Sequence, residues 1–197
     1  MTPETPIGRA LDLARIAHEG QEYRPGEPYF DIHVRTVAAR CVRFGDEAVV
    51  VALLHDTVED TPVTLDEIAA AFGKRIADCV DLCTDPPGKN RRERKAEAHR
   101  RLERAVAPHL SPGIVAKVAD RLCNVAASVK HGDRRLEMYR REHAAFRASA
   151  FRPGLCDDLW EELEALLEPP GPLTTWLTDA EADTVCERYG LSRLTAG

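Results

Sequence analysis

The sequence is poor in aromatic residues: Phe, Trp and Tyr make up 6% of its 197 residues, and Met occurs twice. Long apolar runs are missing, the longest lying near Val49–Leu54, far too short to cross a bilayer. Strand-like alternation of useful length and internal repeats are also missing. The start, Met-Thr-Pro-Glu-Thr-Pro, has neither the basic segment nor the apolar stretch of a signal peptide. There is no basic surplus either: 27 Lys and Arg against 33 Asp and Glu give a net charge of −6. These absences lead us to expect a cytoplasmic protein with no membrane partner and no general affinity for nucleic acid. With 44% apolar residues the chain is too hydrophobic for intrinsic disorder.

What is present favours helices. Ala, Leu, Val and Arg abound, and straight-chain residues lose little rotamer freedom in a helix. Thr5-Pro6 opens a first helix, carried by Leu11, Ala14, Ile16 and Ala17 and ended by Gly20. Residues 21–28 read as a loop, followed by a helix over about 31–44 with Val34, Val37, Ala38 and Cys41 at helical spacing. Asp46 is a candidate cap for a third helix running through Leu54, and Thr64 with Glu67 forms a capping-box pattern for a fourth. A fifth contains Ile76, Val80 and Leu82. After Asp85-Pro86-Pro87-Gly88, further helices are expected over about 90–106, from Ser111-Pro112, over 134–149 and over 157–167. The result is an all-α bundle of short helices, with a main domain over 1–168 and a helical appendage over 169–197 capped at Thr178. Five cysteines, Cys41, Cys79, Cys83, Cys123 and Cys156, join Cys186, and most sit at core positions of these helices. They read as small hydrophobes in a reducing compartment. Cys79 and Cys83 share a helix face, but no second Cys pair or nearby His completes a zinc site.

Chemistry concentrates in Leu53-Leu54-His55-Asp56-Thr57-Val58-Glu59-Asp60-Thr61, where four ionisable groups follow an apolar helix. Taken alone, a His-Asp pair reads equally as a helix end and a solvated acidic turn. Two further residues strengthen the other reading. His33 lies inside an otherwise apolar helix, and Asp120 lies between Val118-Ala119 and Leu122. A buried carboxylate needs a partner. The adjacent Arg121 is one candidate; a divalent metal gathering His33, His55, Asp56 and Asp120 is the other.

These four residues form the H…HD…D pattern of the HD-domain metal-dependent phosphohydrolases. The likeness extends, in order, through Ala17-His18-Glu19-Gly20-Gln21, Gly26-Glu27-Pro28-Tyr29, residues 52–61, and Lys117-Val118-Ala119-Asp120-Arg121-Leu122-Cys123-Asn124. Over about residues 7–150 the chain resembles the hydrolase domain of the RelA/SpoT group and its short stand-alone members, the small alarmone hydrolases. The resemblance implies an all-α HD-domain fold and removal of the 3′-diphosphate from (p)ppGpp. It implies one Mn²⁺ per chain held by His33, His55, Asp56 and Asp120, with Glu59 and Asp60 as the acidic pair that orients or deprotonates water. It assigns substrate contacts to Tyr23, Arg24 and Asn124.

The sequence also departs from the family pattern. Tyr23-Arg24 stands where relatives carry Arg-Lys, Val34 replaces a proline, Cys123 replaces a His, and Ala126-Ala127 replace Arg and Thr. Another nucleotide phosphate is therefore an alternative substrate, and a non-catalytic nucleotide-binding protein is a third reading. The basic segment Gly88–Lys95 reads equally as a solvated helix start and as a phosphate-collecting rim, with Lys89 and Arg91 as its candidate contacts. The expected partner is a small nucleotide; the oligomeric state is left unspecified.

Overall fold

The computed structural model describes residues 5–168; the expected appendage over 169–197, with its Thr178-capped helix, lies outside them. Local capping chemistry sets most helix boundaries. Helix α1, Pro6–Ala17, starts where the Thr5 hydroxyl accepts from the Gly8 amide at 3.0 Å. Helix α5, Leu65–Phe72, starts on a complete capping box in which Thr64 and Glu67 satisfy each other's amides. Gly73 has φ of +89°, a conformation that suits glycine, and turns the chain directly into α6, Lys74–Cys83.

Helix α3, Asp46–Leu54, is buried on every side from Ala48 onward. An apolar surface all round belongs at the centre of a bundle, and α3 packs against α1, α2 (Arg35–Cys41), α6 and α8 (Ser111–Lys130). Asp46 does not cap it: Gly45 holds the cap position and Asp46 begins the first turn, where its charge still favours the helix dipole. A four-residue helix, α4, Thr57–Asp60, carries the acidic run. Helices α7 (Arg91–Arg104), α9 (Arg135–Ala150) and α10 (Asp157–Leu167) complete the described bundle, α7 against α9 and α10 against α8. The five described cysteines are free and buried, and the Cys79 and Cys83 thiols donate to the carbonyls of His109 and Gly113.

The all-α expectation holds, with two local differences. Residues 21–28 are not a plain loop: Glu22–Arg24 (β1) and Glu27–Pro28 (β2) pair antiparallel across a turn at Pro25-Gly26, where Gly26 has φ of +79°. Strands this short leave no readable alternation. The second expected helix also begins as a π turn, Phe30–Val34, before becoming α2. Such turns widen the helix locally and recur at functional sites; this one carries His33.

Candidate functional site

The π turn, the end of α3, the start of α4 and the middle of α8 meet at one point. His33 is 3% exposed and His55 is fully buried. Their Nε2 atoms lie 3.3 Å apart. Asp56 Oδ2 is 2.8 Å from His55 Nε2 and 3.4 Å from His33 Nε2, and Asp120 Oδ1 is 3.3 Å from His33 Nε2. The four predicted ligands therefore converge. Asp120 does not use Arg121, which turns the other way, onto Glu142 at 3.3 Å and over the rings of Tyr139 and Phe146.

The donor set fits a divalent cation. His55 Nδ1 lies 2.7 Å from the carbonyl of Ala52. A carbonyl only accepts, so Nδ1 carries the proton and, in the neutral ring, Nε2 presents its lone pair to the centre. Two imidazole nitrogens and two carboxylates then converge on one point, the carboxylates also accepting from Tyr29 and Asn124. Burial opposes charge on both imidazoles, yet the hydrogen bonds of Asp120 and Asp56 raise His33 to about 9, and Asp56 raises His55. Burial likewise opposes ionisation of the two carboxylates, but the imidazoles hold Asp120 down at about 2 and Asp56 well below the usual carboxylate range. The centre thus demands positive charge, which protons supply in part and a metal supplies better.

A cleft of about 220 Å³ opens above it. Asp56, Glu59, Asp60, Asp85, Asp120 and Asn124 line it together with Arg91, Arg94, Lys95, Lys117 and Arg121. Glu59 Oε2 accepts from the Asp85 amide at 2.9 Å, whereas among the described residues the Asp60 carboxylate has no hydrogen-bond partner. Loss of water on its inner side, reinforced by Asp56 and Glu59, raises Asp60 to about 6; the same loss raises Glu59. The cations divide into tied and free. Arg91 is bidentate to Glu142 at 2.8 and 3.0 Å. Lys95 lies 2.7 Å from Asp85, and Lys117 donates to the Cys83 carbonyl. Arg94 has no carboxylate partner among the described residues.

The remaining predicted contacts separate. Tyr23 lies beside His33 and Asn124 beside Asp120, both close to the centre. Arg24 points away, to Asp133 at 3.2 Å, and Lys89 is exposed outside the cleft. The sequence reading placed Arg94 and Lys95 in the basic rim segment without singling them out, and did not name Lys117, Arg121 and Tyr29 as cleft residues. Tyr29, whose hydroxyl donates to Asp56 Oδ2 at 2.5 Å, could have been found as the one phenol next to a predicted ligand turn.

Comparison with known proteins agrees with this arrangement. A guanosine-3′,5′-bis(diphosphate) 3′-pyrophosphohydrolase of Aquifex aeolicus is 39% identical over 123 residues, 60% of this chain and 17% of that protein. The bifunctional (p)ppGpp synthase/hydrolase SpoT of Escherichia coli is 35% identical over 133 residues, 62% of this chain and 18% of its own length. The chain therefore spans less than a fifth of these relatives. The human protein MESH1, a guanosine-3′,5′-bis(diphosphate) 3′-pyrophosphohydrolase, is 38% identical over 122 residues, 59% of this chain and 65% of MESH1. Among solved structures, a metazoan ortholog of SpoT superposes with a TM-score of 0.57 at 20% identity, covering 98% of this chain and 99% of that one, a likeness of fold. The HD-domain family model matches residues 10–146, which include all four convergent ligands, and the chain belongs to that family.

Proposed function

We propose that the protein is a metal-dependent phosphohydrolase that removes the 3′-diphosphate of (p)ppGpp-like guanosine nucleotides, releasing pyrophosphate. The reading is carried by one observation: His33, His55, Asp56 and Asp120 converge at a cleft lined by both carboxylates and cations. The relatives named above, which act on guanosine-3′,5′-bis(diphosphate), support the substrate class. The mixed nitrogen and oxygen donors suit Mn²⁺. When bound, such an ion supplies Lewis-acid polarisation of a phosphoryl oxygen and acidification of water.

The rest falls to the chain. Asp60, whose carboxylate has no hydrogen-bond partner among the described residues and is raised to about 6, accepts the proton of the attacking water. Glu59, fixed by the Asp85 amide, orients that water. The water oxygen forms a bond to the phosphorus next to O3′, the O3′–P bond breaks, and a proton is delivered to the departing O3′. The products are pyrophosphate and GDP, or GTP from the pentaphosphate. Arg94 and the neighbouring cations hold phosphate oxygens through the reaction. No covalent enzyme intermediate is needed.

The test is release of pyrophosphate from ppGpp with Mn²⁺, which the purified protein performs and Asp56→Ala loses by at least roughly a hundredfold. A second reading, another nucleotide phosphate as substrate, rests on Tyr23, Ala126 and Ala127 standing where the pattern has charged or polar groups. Turnover of a different nucleotide with none of ppGpp selects it. Tight nucleotide binding with no turnover under any divalent metal selects a binding protein.

A further inference from the structure

Tyr23 touches the metal centre at two points. Its ring lies flat against the His33 imidazole, with centroids 5.2 Å apart and planes 4° from parallel. Its hydroxyl donates to Asn124 Oδ1 at 3.1 Å. Asn124 in turn donates from Nδ2 to Asp120 Oδ1 at 2.5 Å, the same oxygen that faces His33. One side chain of β1 therefore bears directly on one nitrogen ligand and, through a single amide, on one carboxylate ligand.

The surroundings hold Tyr23 in that posture. The next residue, Arg24, is anchored to Asp133, which also pairs with Arg135 at 2.7 Å. A phenol is ordinarily protonated at neutral pH, so the Tyr23 hydroxyl is a neutral donor. A donor at this point fixes which way the Asn124 amide faces: with Oδ1 accepting from the phenol, Nδ2 is turned to Asp120. Without it the amide keeps only its bond to Asp120, and its hold on that carboxylate is less fixed. Groups of this kind, one bond beyond the ligands, orient a metal site and typically change metal affinity by about 10–100-fold when removed.

From this geometry we infer that Tyr23 is a positioning residue for the metal ligands, its ring fixing His33 and its hydroxyl fixing Asp120 through Asn124. The assignment rests on the metal-dependent reading above. It also makes Tyr23 part of the protein's own wall and not a surface for a nucleobase.

Calorimetric titration of the metal-free full-length protein with Mn²⁺ tests it, using Tyr23→Phe, Asn124→Ala, the double variant and Tyr23→Leu. Tyr23→Phe keeps the ring and loses the hydroxyl, and weakens Mn²⁺ binding roughly tenfold. Asn124→Ala weakens it similarly, and the double variant is no weaker than the worse single one, because both remove one relay. Tyr23→Leu is weaker than Tyr23→Phe because the stack is lost too. Far-UV circular dichroism and thermal melting of the metal-free Phe variant match wild type, which separates positioning from folding. Unchanged Mn²⁺ affinity in Tyr23→Phe, or additive losses in the double variant, overturns the inference while leaving the metal reading intact. A wild-type protein that takes up no stoichiometric Mn²⁺ overturns both.

Discussion

At the scale of single residues, the cleft separates groups that look alike in sequence. Glu59 and Asp60 are adjacent acids, both raised by loss of water, yet among the described residues only Glu59 is held by a backbone amide, and Asp60 rises to about 6. A base must be deprotonated to work, and a bound divalent ion favours the carboxylate, so activity rises with pH to no more than about 6 and then levels. In kcat profiles between about pH 5 and 8, Asp60→Asn lowers kcat by roughly 10²–10⁴ and removes that limb; Glu59→Gln keeps it. A limb surviving in Asp60→Asn assigns the proton transfer elsewhere. The basic segment divides in the same way. Arg91 is spent on Glu142 and Lys95 on Asp85, leaving Arg94 for the substrate. Arg94→Ala therefore raises KM roughly tenfold with little change in kcat, the mark of a binding contact. The convergence of His33, His55, Asp56 and Asp120 was legible in sequence because a carboxylate such as Asp120 among Val118, Ala119 and Leu122 demands a partner. Arg94 was not, since every cation between Lys89 and Lys95 looks equivalent until ion pairs are assigned.

At the scale of elements, legibility followed how local the cause is. The Thr5 cap, the Thr64–Glu67 box and the Ser111-Pro112 start act within a turn of helix, and the helices begin where they say. The hairpin at 22–28 and the π turn at His33 depend on distant contacts: Gln21 reaches the Asp60 carbonyl at 2.9 Å, and His33 is drawn to Asp56 and Asp120. No window of sequence contains both halves of those contacts. Close helix packing was equally hidden. A Cβ on Gly113 of α8 would lie 2.8 Å from the Cys79 carbonyl oxygen and 3.0 Å from its Cα, backbone atoms of α6 that cannot swing aside. By propensity alone, Ala for Gly in a helix gains about 1 kcal/mol. Here the overlap wins, and Gly113→Ala costs about 1–3 kcal/mol. Thermal melting registers this as a fall of roughly 3–10 °C; a rise in Tm would mean that α6 and α8 are not so closely packed.

At the scale of the whole molecule, the net charge of −6 conceals a gathering of charge, with carboxylates and cations brought together around the cleft at His33 and His55. The gathering has a consequence for stability. In the metal-free protein the imidazolium of His33 holds Asp56 and Asp120 together, and its folded-state value of about 9 lies above the ordinary 6.5. A group raised on folding contributes fully below its unfolded value and loses that contribution as pH rises through the folded one. The metal-free protein therefore loses stability between about pH 6.5 and 9, by roughly 3 kcal/mol for this ionisation. Mn²⁺ takes the place of the protons, and its binding is favoured as they leave. The gain in Tm on adding Mn²⁺ to chelator-treated protein should accordingly grow from about pH 6.5 to 8.5, under anaerobic conditions that keep the metal divalent. Melting curves with and without Mn²⁺ across that range decide the matter. A metal-free Tm that stays level while the Mn²⁺ increment does not change would mean that protons and metal do not compete for His33 and His55.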